Sequence, residues 1–160
     1  MTDRTLDQID IEILTALQNE ARISNKELAA HIGLAPSSCL ERVRRLEEEG
    51  RILGYHARVD ESALGVGIQA LVLVGLERHS RELVDAFRAH LQTLPQVVAT
   101  YHLAGRHDFL LHVVARDPDH LRDLALDAFT TRPEVGHIET LLIYEHRRRG
   151  ALPSYVAVDQ

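Results

Sequence analysis

Tryptophan is absent from the 160-residue chain, and aromatic residues make up only 4% of it. A surface that stacks on unpaired bases has few rings to build with, which counts against a single-strand or RNA platform. Cys39 is the only cysteine, so an internal disulfide is excluded and a reducing compartment is suited. Long apolar runs are missing too. The longest, Val66 to Leu76, is short and broken by Gly67 and Gln69, so no membrane partner is expected. The opening MTDRTLDQ lacks the basic leader and apolar stretch of a signal peptide, and a cytoplasmic location follows as the expectation. Nor is positive charge in excess: 18 Lys/Arg stand against 24 Asp/Glu, net -6 at pH 7. An acidic chain repels nucleic acid unless its basic residues are grouped. Internal repeats and low-complexity tracts are also absent.

What is present suits a folded chain, with 45% hydrophobic and 26% charged residues. Leu6, Ile9, Ile13, Leu14 and Leu17 recur at helical spacing, and Asp7 and Asp10 stand where a helix N-terminus favours acids. A first helix over about Asp7 to Asn19 is predicted. Ser24-Asn-Lys-Glu27 reads as a capping box that starts a short second helix, stopped by Gly33. Pro36 suits the first turn of a third helix running to the glutamates before Gly50. RILGYHARVD after it reads as an extended segment with the length of a small wing.

The pattern changes at Gly67. Ile68 to Leu76, Val97 to Leu103, Phe109 to Val114 and Val135 to Tyr144 read as strands. Arg81 to Leu94 and a segment opened by Asp117-Pro118 read as helices. The order β-α-β-β-α-β predicts an α+β chain: a helix-turn-helix domain over residues 1–60, a linker over 61–67, and a ferredoxin-like sandwich over 68–160.

On a helix of about 100° per residue, Cys39, Leu40, Val43 and Leu46 share one apolar arc. Ser37, Ser38, Glu41, Arg42 and Arg45 face broadly away from it, with Arg44 toward one flank. Hydroxyls and free amides at a helix start suit phosphate, and arginines suit phosphates or guanine edges, the needs of a major-groove reader. A single basic helix face is more often just solvated surface. Here the charge is concentrated: residues 1–65 are net -4, yet Arg22 to Arg45 holds five basic and two acidic residues. Ser37, Ser38, Arg42, Arg44 and Arg45 are therefore the candidate contacts to double-stranded DNA. Glu41 runs against this unless it pairs with Arg45 or accepts from a cytosine amine.

SNKELAAHIGLAPSSCLERVRRLEEEGRILGY closely resembles the helix-turn-helix of the leucine-responsive/asparagine-responsive (Lrp/AsnC) family of transcription regulators. LDQIDIEILTALQNEARIS and LAGRHDFLL match the same family, so the resemblance covers almost the whole chain. It implies a sequence-specific DNA-binding regulator, not an enzyme. The C-terminal domain would bind an amino acid or related effector and form dimers that assemble further, often into octamers. Ala35 departs from the family, which usually has serine there, so the third helix is expected to lack its N-cap hydroxyl.

The turn Ala104-Gly105-Arg106-His107-Asp108 is the effector candidate. A glycine turn exposes backbone N–H groups for a carboxylate, and Asp108 can accept from an ammonium. Without the resemblance, Gly105 and Asp108 read as turn formers only. By resemblance the loop borders a cleft between dimers, and Ala104 stands where relatives often carry a small hydroxyl residue. Ten histidines invite a metal, yet none pairs at ligand spacing on a predicted helix. His102, His107 and His112 straddle the hairpin, and structural roles suit them better. The acids Asp117, Asp119 and Asp123 read as helix-start residues, and Cys39 as core. His146-Arg-Arg-Arg149 reads as a solvated strand end or an auxiliary DNA or intersubunit contact. No nucleophile elbow, acid–base pair or RNA-binding aromatic signature appears, and no cofactor is expected.

Overall fold

Local signals at the helix ends set the first unit of the computed structural model, which describes residues 5–78, 80–147 and 149–156. Asp7 caps α1 (Gln8–Asn19): its carboxylate accepts from Asp10 N at 2.8 Å, and Asp10 reciprocates to the Asp7 amide. Ser24 and Glu27 form the expected capping box of α2 (Asn25–Ile32). Gly33 ends that helix at φ 78°, a left-handed conformation that favours glycine. α3 (Pro36–Glu48) begins with proline in the first turn, and its N-cap Ala35 makes no side-chain cap bond. Ile13, Leu28, Ala29, Cys39 and Leu46 form the buried core of this unit, one or two residues from each helix. Each fully buried large aliphatic side chain among them contributes about 1.5–3 kcal/mol, and partly buried Ile9, Leu17, Ile32 and Val43 pack against the same core.

The chain divides into two units, Met1–Arg58 with Arg147–Gln160, and Val59–His146. The stretch from Arg147 on, expected in the second domain, thus groups with the first; Leu152 N donates to Gln18 Oε1 at 2.9 Å. Arg148 of the basic run lies outside the described residues. The extended segment after Gly50 forms no strand within residues 51–60, so the wing expected there carries no ladder.

In the second unit a 3-10 turn (Glu61–Leu64) leads into β1 (Ile68–Leu76), α4 (Arg81–Leu91), β2 (Val97–His102), β3 (Phe109–Ala115), α5 (Pro118–Leu124) and β4 (Val135–Leu142). α5 continues as a π-helical segment, Ala125–Thr130. The sheet order β2-β3-β1-β4, antiparallel throughout, is that of the predicted ferredoxin-like sandwich. Alternation places Ala70, Val72 and Val74 of β1 with Phe109, Leu111 and Val113 of β3 in one core. Phe87 and Leu91 of α4 and Leu121, Leu124 and Phe129 of the second helical segment complete it. Phe87 meets Phe109 edge-on, 5.1 Å between ring centroids. Gly67 is fixed by close approach: a Cβ there would collide with the Arg116 carbonyl oxygen.

Candidate functional site

α3 has two distinct sides. Cys39 and Leu46 are fully buried, and burial pushes the Cys39 thiol pKa up, as suits a core residue. Ser37, Ser38, Glu41 and Arg44 are exposed. These four fall at spacings of one, three and three residues along one helical face, and Pro36, which has no N–H, leaves one fewer first-turn amide to satisfy, those of Ser37 and Ser38 remaining uncapped. The Ser37 and Ser38 hydroxyls, the helix start and the Arg44 guanidinium together present hydrogen-bond donors on that exposed face.

Arg42 and Arg45 are not part of that open surface, contrary to the expectation from periodicity. Arg42 Nη1 donates to Asp7 Oδ2 at 2.7 Å and to Asp10 Oδ1 at 2.8 Å, and Arg45 Nη2 donates to the same Asp10 oxygen at 2.9 Å. Asp10 is completely buried. The hydrogen bond donated to Asp7 leads the effects that hold the Arg42 pKa above its ordinary value, and Asp10 adds to it against the cost of burial. Removing one member of such a network leaves a buried charge uncompensated, which costs several kcal/mol, about 3–5 in typical cases. Arg45 also approaches Glu49 at 3.9 Å, so of the two roles open to Glu41, pairing with Arg45 gives way to Asp10 and Glu49. Sequence reading placed Asp7 and Asp10 correctly at a helix start. It missed their arginine partners because the contacts span 32 to 35 residues. At the far end of α3, Tyr55 donates to Glu47 at 2.9 Å; burial first, then Glu47, pushes its pKa up to about 12.

The 104–108 turn lies at one end of the sheet in the second unit. Ala104, Gly105 and Arg106 are exposed, and Gly105 adopts φ 155° with open space around it. Asp108 differs from the expectation. It is buried, its Oδ2 accepts from Leu76 N at 2.7 Å, and its backbone joins Val74 and Leu103. The carboxylate thereby satisfies the amide at the β1 bulge, where the ladder to β4 shifts register. Its observed work is structural, in place of an open acceptor for a ligand ammonium. His107 is half-buried, 5.2 Å from His137 between ring centroids, and its Nδ1 has no hydrogen-bond partner among the described residues. The His137 ring covers Gly75, where any Cβ would strike it.

The three hairpin histidines separate. His102 stacks on Phe109, and His112 bonds Gln69 at 2.8 Å with its ring near His146. Burial first, then His146, lowers the His112 pKa, with Glu61 opposing. Among the described residues no group of three or more His, Cys, Asp or Glu is placed to hold a metal. Among them, too, no helix is long and apolar enough to cross a membrane.

Comparison with known proteins agrees with this division of labour. Residues 6–52 match the winged helix-turn-helix DNA-binding family model, and residues 69–151 match the Lrp/AsnC ligand binding domain. The chain is 46% identical to the HTH-type transcriptional regulator AldR of Mycolicibacterium smegmatis, over 94% of this chain and 87% of that one. It is 39% identical to the leucine-responsive regulatory protein of Rhizobium meliloti, over 86% and 88%. Its fold superposes on a Neisseria meningitidis transcriptional regulator solved with L-Met, with TM-score 0.87 and 29% identity over 93% of this chain and 97% of that one. A helix-turn-helix with one open polar face, followed by a four-stranded ligand-binding sandwich, is thus the build of a regulator rather than an enzyme, and the chain belongs to the Lrp/AsnC family of transcriptional regulators.

Proposed function

We propose that Ser37, Ser38, Glu41 and Arg44 of α3 enter the major groove of double-stranded DNA at an operator. The single observation that carries this is the sidedness of α3: two fully buried core residues, two arginines engaged by acids, and one open polar face. Ser37 and Ser38 serve phosphates at the helix start, Arg44 reads a guanine edge or a phosphate, and Glu41 accepts from a cytosine amine. The DNA it reads is cytoplasmic.

The ligand-binding domain senses a free amino acid at the end of its sheet. Arg106 and the backbone of Ala104 and Gly105 suit the carboxylate, and His107 beside His137 borders the same place. Asp108 shapes that end through Leu76. L-Met, present in the structure of the Neisseria relative, is the first effector to try. Family members suggest dimers built through the sandwich and further assembly up to octamers. Footprinting of the region upstream of the protein's own gene at moderate salt, repeated with a panel of amino acids led by L-Met, tests the reading. A protected stretch that shifts with one amino acid supports it; protection no stronger than on random DNA refutes it.

A further inference from the structure

We propose that Asp7 and Asp10 act as an internal substitute for DNA phosphates, withholding Arg42 and Arg45 from the duplex backbone and so raising the ratio of sequence-specific to non-specific binding. The inference rests on α3 being the reading helix. Two carboxylate oxygens accept three guanidinium bonds of 2.7 to 2.9 Å, the geometry and charge an arginine would otherwise offer a phosphate. The arginines are not core residues: their side chains keep 25% and 33% exposure. Around the helix, Arg45 stands about 40° from Glu41, inside the arc that carries the open face. A released Arg45 head would therefore join the groove side, with Arg42 at its flank. Arg44, by contrast, has no ion-pair partner among the described residues.

The consequence follows from the sequence-independent nature of phosphate contacts. Each arginine that displaces counterions adds affinity for any DNA and steepens the salt dependence by about 0.9 in the log–log slope. Holding two arginines on internal acids subtracts that indiscriminate term and leaves base contacts untouched. Asp10 is fully buried and touches both arginines, so it also fixes how α3 lies against α1. It is a positioning residue, and Asp7 at the rim, 42% exposed, is the acid a phosphate would compete with.

The test uses the full chain and fluorescence anisotropy on an operator duplex and a scrambled duplex across a range of salt. Asp7→Asn keeps the helix cap, since asparagine caps as well as aspartate; Asp10→Asn keeps shape and removes the buried charge. Both variants should bind scrambled DNA more tightly, Asp10→Asn the more so, and the operator-to-scrambled ratio should fall. The advantage over the parent should grow about three- to four-fold per released arginine as salt drops from roughly 200 to 50 mM. In an Arg42→Gln background the Asp7→Asn effect should vanish. Unchanged slope and ratio in the folded variants overturn the proposal, as does parallel weakening on both duplexes, which would leave the acids a docking role alone. Should Asp10→Asn fail to fold, Asp7→Asn decides. Operator binding that survives Ser37→Ala with Arg44→Ala would instead sink the reading of α3 itself, and this proposal with it.

Discussion

Replacing Ala35 by serine isolates one missing interaction. Ala35 sits at φ -66°, ψ 141°, close to Ser24 at φ -69°, ψ 151°, and Ser24 does cap its helix, accepting from Glu27 N at 3.2 Å. The backbone is therefore already in the capping conformation, and Ala35 is exposed, so an added hydroxyl meets no obstacle. It would accept from the Ser37 or Ser38 amide, since the Cys39 amide already donates to the Ala35 carbonyl at 3.0 Å. Alanine-to-serine differences at N-caps run about 0.5–2 kcal/mol, with about 1 typical. For a unit of 60–100 residues, each kcal/mol moves the midpoint by roughly 4–8 °C. Calorimetry on the full chain should show that rise in the transition of the first unit, identified as the one lowered by Leu28→Ala in its core. A folded variant whose midpoint does not move would refute the reasoning, because it would mean those amides lose nothing without a side-chain acceptor.

Three further outcomes are expected. Gly75→Ala should lower the unfolding midpoint because its Cβ strikes the His137 ring, and His137→Ala should restore most of the loss; failure of that rescue would place the strain in the β1 backbone. Asp108→Asn should cost about 1.5–3 kcal/mol in chemical denaturation by weakening the charge-assisted bond to Leu76 N, while effector titration of the folded variant stays near wild type. A large loss of effector affinity with full stability would return Asp108 to the binding site. His112 has a depressed pKa, so below its unfolded value near 6.5 the unfolded chain binds more protons and stability falls as pH drops. His112→Gln should flatten the pH dependence of the midpoint between about pH 7 and 5, and an unaltered slope would show that other groups set it.

Short-range order was legible from the residues alone. The Ser24–Glu27 box, Gly33, Pro36 at the start of α3 and the uncapped Ala35 all concern neighbours within four positions, where backbone geometry leaves few choices. The apolar runs Ile68 to Leu76 and Phe109 to Val114 read as strands, and the order of strands and helices then admitted the sandwich; which of their residues face the core emerged only with the pairing. Helical periodicity also separated Cys39 and Leu46 from Ser37, Ser38 and Arg44. What tertiary structure decided was the fate of long polar side chains. Periodicity gives the direction in which Arg42 and Arg45 leave the helix, but their guanidinium groups go where docking of α1 places Asp7 and Asp10. Asp108 was likewise readable as a turn residue with a free charge until strand pairing brought the Leu76 amide to its carboxylate. The grouping of the chain from Arg147 on with α1, through Leu152 and Gln18, depends on a contact 134 residues apart, which no local spacing encodes.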